Sequence, residues 1–218
     1  GLTVPTLEDR PTPVASLQIW VHVGSRDEAR YTGLAHLFEH MMFKGSKHMG
    51  PEQHARLIEA RGGEVNAYTS NDFTVYLDDV TPETLPLAIA LEAERIANLD
   101  ISQKTLDSER QVVLEERRLR SEDDPEGRAF EALMALAFTA HPYRTPVIGW
   151  RSDVEAATVE VCRNFFDTFY VPNNMWRAIM GNFDTEQTLA EVRRAFGGFP
   201  RVEPIPRNPT LEPVQRGE

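Results

Sequence analysis

Cysteine is nearly absent, with Cys162 alone in 218 residues. No internal disulfide can form, and neither a cysteine-rich zinc knuckle nor a bridged scaffold can be built. Long apolar runs are missing as well. A stretch such as Val14 to Val23 is interrupted by polar side chains, so the sequence predicts no membrane span and shows no signal peptide. Positive charge is scarce: 23 Lys and Arg stand against 34 Asp and Glu, a net charge of −11. The cations are scattered, which excludes the electrostatic footprint of a nucleic-acid binder. An anionic surface suits a protein or peptide substrate. The first residue is Gly1, which predicts a processed or excised piece, expected in the bacterial cytoplasm or periplasm.

What is present is ordinary globular material, 41% hydrophobic and 26% charged, enough for one large core. No repeat of about 20 to 50 residues interrupts it. Leu2 to Leu7 and Val14 to Val23 read as strands, with Pro11 and Pro13 between them, and predict a hairpin. Gly33 to Lys44 predicts a helix that is apolar nearly all round and must be buried. Pro51 predicts the first position of a second helix, Glu52 to Arg61, stopped by Gly62-Gly63. Glu64 to Thr69 and Phe73 to Val80 predict a second hairpin across Ser70-Asn71-Asp72.

Further helices are expected from Thr81 to Asn98, Ser102 to Arg120, Pro125 to Ala137, Thr158 to Phe169 and Asp184 to Phe196, with a strand at Asn174 to Met180. The order predicts an α+β fold, a two-layer sandwich of a largely antiparallel sheet with helices packed on one face. Residues 1–200 read as one metal-binding domain and residues 201–218 as a proline-rich linker.

The chemistry is concentrated in His36-Leu37-Phe38-Glu39-His40. At about 100° per residue, Glu39 and His40 fall near −60° and +40° from His36, so three polar groups share about one third of a helix. Two imidazoles one turn apart can take adjacent positions on a tetrahedral ion, and the acid between them can reach a water without being a ligand. A solvated His pair is excluded by context, because Leu34, Phe38, Met41, Met42 and Phe43 surround it.

A third ligand is required, and the helix from Ser102 offers it. Glu116 and Glu109 share a side with Leu106, Val112, Val113 and Leu119, whereas Glu115 falls at the edge. A carboxylate among core-facing side chains costs several kcal/mol unless a cation compensates it. Glu116 is therefore the predicted ligand, with Glu109 behind it in the catalytic set beside Glu39. His48, His54 and His141 read as surface or loop residues, and Cys162 as a small core residue.

These motifs resemble the inverzincin metallopeptidases of the pitrilysin, insulysin and mitochondrial processing peptidase group, whose inverted signature is His-x-x-Glu-His. The resemblance implies a glutamate ligand 76 residues beyond the second histidine, and Glu116 stands 76 residues after His40. A second family glutamate two turns earlier matches Glu109. The segments Val23 to Glu28, Gly62 to Ala67 and Tyr170 to Asn174 are similar too. By resemblance, the strand at Asn66 and Ala67 binds an extended peptide or unfolded polypeptide, and one Zn2+ per chain is the cofactor.

It also implies a second homologous domain or subunit that closes over the site, and these residues contain no such domain. The implied activity is that of a zinc metalloendopeptidase. Degenerate motif residues would point instead to a non-catalytic scaffold of the same fold, and here all four are intact. A small-molecule hydrolase on a similar layer would have no use for the peptide-pairing segment.

Overall fold

A five-stranded sheet in the order β1-β5-β2-β4-β3 organises the computed structural model, which describes residues 2–202 and 205–216. Its strands are β1 Thr6–Glu8, β2 Ala15–Val21, β3 Glu64–Thr69, β4 Thr74–Val80 and β5 Met175–Gly181. Neighbours are antiparallel except β1 with β5. Strict alternation in β2 explains why the sheet has one covered face. Ala15, Leu17, Ile19 and Val21 are fully buried while Ser16, Gln18 and Trp20 between them are half-exposed. The fold is α+β, as the element order predicts.

Eight α-helices occur among the described residues: α1 Leu34–Met41, α2 Gln53–Glu59, α3 Leu85–Asn98, α4 Gln103–Arg117, α5 Pro125–Ala137, α6 Arg151–Ala156, α7 Val159–Phe169 and α8 Thr185–Phe196. Helix α1 is the most deeply set. Its Leu37, Phe38 and Met41 are buried, and Phe38 stacks on Phe165 and Phe166 of α7 at 5.5 and 5.6 Å. Burying a side chain of this size stabilises by about 1.5–3 kcal/mol. That anchoring leaves the opposite side of α1 free to present polar groups.

Ser102, Asp124, Thr158 and Asp184 each cap a helix through a side-chain oxygen. Tail residues 205–216 have no regular structure but lie on the body. Arg207 binds the carbonyl of His22, and Glu212 accepts the backbone N–H groups of Thr139, Ala140 and His141. The expected linker also includes residues 203–204 and 217–218, which lie outside the described residues.

Several expectations are corrected. β1 and β2 do not form a hairpin, because β5 lies between them. β2 is the central apolar strand, and both its edges are taken along its whole length by β4 and β5. The short β1 is left to pair in parallel at the sheet margin. Glu52 does not begin a helix after Pro51; it adopts a left-handed conformation at φ 59°, and α2 starts at Gln53. Helix α3 begins at Leu85 rather than Thr81, since Pro86 is tolerated only in a first turn. Six-residue α6 is too short to show a periodic pattern.

Candidate metal centre and substrate cleft

Helix α1 carries His36, Glu39 and His40 on the side away from Phe38, and its N-terminus is built to stay in place. Gly33 precedes it at φ 85°, backed onto Ile148 and Gly149 so closely that a Cβ would stand 2.6 Å from the Ile148 carbonyl oxygen. The buried Glu28 carboxylate accepts the N–H groups of Gly33 and Ala35, each at 2.8 Å. Burial pushes its pKa up to about 8, against the backbone donors that favour its charge. Asp153 of α6 accepts both the N–H and the hydroxyl of Thr32.

Helix α4 brings the acids to α1. Oε2 of Glu116 lies 3.6 Å from Nε2 of His36 and 3.3 Å from Nε2 of His40. The ligand atoms of these three residues all fall within 4.8 Å of one another. Glu109, with 1% of its side chain exposed, sits on the far side of the same ring, its Oε2 3.9 Å from Nδ1 of His40. Lys44 stands 3.6 Å from that Glu109 oxygen and 2.6 Å from Glu52.

The inward-facing side of α4 is narrower than its sequence predicts. Leu106 and Val113 are buried, but Val112 and Leu119 are exposed. Only the Leu106 and Val113 side packs inward, so Glu109 is enclosed while Glu116 sits at the boundary with the cleft.

Electrostatics follow from this placement. Burial, followed by the proximity of His40, depresses the His36 pKa to about 4, leaving its ring neutral. Glu116 is held below the usual carboxylate range, first by the hydrogen bond with His40. Glu39 is raised, chiefly by burial, while the hydroxyl of Thr69 donates to its Oε2 at 2.6 Å.

The cleft above these groups has a volume of about 590 Å³ and is bounded by Asn66, Ala67, Tyr68 and Thr69 of β3, by Arg120 and Ser121, and by Val147 and Ile148. β3 is an edge strand, so one row of its backbone groups has no strand partner. The Ala67 N–H is met by the Asn66 side-chain oxygen at 2.8 Å. Every sequence-predicted site residue therefore borders one cleft or supports it.

The places of Thr69, Glu28, Lys44 and Arg120 beside the site are not legible in the sequence, because each contact depends on how the chain folds back on itself. His54, expected at the surface, is buried with its Nε2 3.0 Å from Asp78. His48 is exposed, and Cys162 is buried.

The donors fit a divalent ion. Two imidazole nitrogens and one carboxylate oxygen converge, with Arg120 on the other Glu116 oxygen, and among the described residues Oε2 of the buried Glu109 has no hydrogen-bond partner. Such a mixed nitrogen and oxygen set is the ligand chemistry of zinc.

Comparison with known proteins agrees with that chemistry. Residues 3–150 match the model of the insulinase family, peptidase family M16. The chain belongs to that family. Residues 156–218 match the model described as the peptidase M16 inactive domain, and all the site residues lie before that segment.

An uncharacterised zinc protease of Mycobacterium leprae is 38% identical over 90% of this chain and 44% of its own length. Zinc protease PqqE of Helicobacter pylori is 30% identical over the whole chain and 50% of its own length. The crystal structure of a protease from Helicobacter pylori superposes with a TM-score of 0.95 at 29% identity, covering 99% of this chain and 52% of that one. That of the first half of the periplasmic protease PqqL from Escherichia coli gives 0.82 at 27% identity, covering 97% and 46%. The chain thus spans about half the length of these M16 relatives.

Proposed function

We propose that this chain is the metal-binding domain of a zinc-dependent metalloendopeptidase, with His36, His40 and Glu116 as ligands of one Zn2+. The observation that carries the reading is the convergence of two imidazole nitrogens and a carboxylate oxygen within 4.8 Å at the floor of a cleft. The chemistry supplied by a bound zinc ion is Lewis acidity toward a water molecule and a peptide carbonyl.

Glu39 acts as general base. It accepts a proton from the attacking water, whose oxygen bonds to the carbonyl carbon. As the C–N bond breaks, Glu39 returns that proton to the leaving amine. Thr69 fixes the Glu39 carboxylate through one oxygen, so the other faces the reacting water. Glu109 stands behind His40, its Oε2 3.9 Å from Nδ1, and is the group placed to orient that ring when the metal is bound.

The substrate is an extended peptide or unfolded polypeptide added to the edge of β3. Ala67 offers the backbone N–H that its neighbour Asn66 now covers, and Asn66 swings aside to release it. A second homologous domain or subunit closes over the cleft, in keeping with a chain half as long as its relatives. The Escherichia coli neighbour is described as periplasmic, and cytoplasm or periplasm is the compartment proposed here. No helix among the described residues is long and apolar enough to cross a membrane.

The test is cleavage of unstructured peptides, measured beside small esters, before and after zinc is stripped with a chelator. Peptide cleavage that disappears with the metal and returns with added Zn2+ is expected. Ester hydrolysis without peptide cleavage would overturn the substrate class, and activity indifferent to the chelator would overturn the metal reading.

A further inference from the structure

The two oxygens of Glu116 are divided between different partners. Oε2 faces both imidazoles, while Oε1 is held by Nη1 of Arg120 at 2.7 Å, one helical turn further on. Resting on the metal reading above, we propose that Arg120 is a positioning residue. It fixes the Glu116 carboxylate so that a single oxygen is presented to the ion, and it keeps that oxygen in register with the two nitrogens.

Three features of the chain support this role. The backbone leaves α-helical geometry directly after Arg117 and runs as a π-turn over Arg118–Glu122. Such turns re-aim side chains and recur at functional sites. Arg120 is 77% exposed, so its ion pair contributes little to folding, yet it borders the cleft beside Ser121. Arg118, in the same turn, points elsewhere and pairs with Glu115 and Asp123.

The sign of the effect separates positioning from general charge. Deleting a positive charge near a dication should tighten its binding if only long-range electrostatics operate. Loss of a group that orients a ligand should weaken it, by about ten-fold for a single supporting hydrogen bond.

The experiment is titration of Zn2+ into the zinc-free protein against a chelating fluorophore, for wild type, Arg120→Ala, Arg120→Lys and Arg118→Ala. The expected result is binding about ten-fold weaker in Arg120→Ala, substantial recovery in Arg120→Lys, and unchanged or tighter binding in Arg118→Ala. Melting of the zinc-free proteins, expected to be the same for all four, separates positioning from loss of fold. Arg120→Ala that binds Zn2+ as tightly as wild type, even with a raised KM for peptide, overturns the proposal. A wild type that takes up no Zn2+ overturns instead the metal reading on which it rests.

Discussion

His36, His40 and Glu116 on one side of the molecule, and His54, Asp78 and Glu92 on another, use the same side-chain types with ligand atoms within 4.8 Å in each group. Their surroundings differ. The second group is fully buried and contains its own cation: Arg95 donates to Glu92 through Nε at 2.9 Å and lies 4.7 Å over the ring of Tyr76. The hollow beside His54 and Arg95 is only about 10 Å³, room for one water at most. The first group opens into a cleft of about 590 Å³, and Arg120, largely exposed, pairs with the Glu116 oxygen other than the one that faces the imidazoles. Donor type and spacing alone do not identify a metal centre; access and the source of the compensating charge do.

Five substitutions probe that contrast. The largest effect is expected at the open cluster: Glu39→Gln should lower peptide cleavage by about 10²–10⁴-fold while zinc content stays at the wild-type level. Full cleavage by that variant would remove Glu39 from the mechanism. In the sealed cluster, Arg95→Met strands two carboxylates without their cation. Chemical denaturation should register a loss of about 3–5 kcal/mol, and wild-type stability would show that Arg95 is not the compensating charge. The Arg120→Ala and Arg118→Ala pair comes next, with its ten-fold expectation in metal affinity.

The remaining effect is in the pH dependence of stability. Burial raises Asp78 to about 6 and depresses His54 to about 3. The raised acid contributes stability that is present below its unfolded value and lost as pH rises toward 6. The depressed histidine contributes stability that is present above its unfolded value and lost as pH falls. Between about pH 4 and 6 the folded chain carries one proton on Asp78 and the unfolded chain one on His54, so the two slopes cancel. His54→Asn removes one side of the balance. Relative to wild type, that variant should gain stability on acidification from pH 6 to 4, by up to about 1.4 kcal/mol per pH unit. A pH profile parallel to wild type would contradict the pairing.

Local pattern carried much of this into the sequence. His36, Glu39 and His40 are legible because three polar residues at one-turn spacing interrupt an otherwise apolar helix, and Ser102, Thr158 and Asp184 mark helix starts by their chemistry. Glu116 is legible from its helix face and from the spacing that the family resemblance implies, although Val112 and Leu119, expected on that face, are exposed. Strand order was not legible. Nothing in Leu2 to Leu7 announces that β5, far along the chain, would occupy the place beside β2. The burial of His54 is not legible for the same reason, since its partner Asp78 lies 24 residues away and the compensating Arg95 lies on a different helix.

The central claim is that the open cluster holds the metal and the sealed one does not. Elemental analysis of purified wild type, His40→Ala and His54→Ala tests it most directly. The account predicts one zinc per chain in wild type and in folded His54→Ala, and none in His40→Ala. Zinc retained by His40→Ala, or lost from a folded His54→Ala, would contradict it.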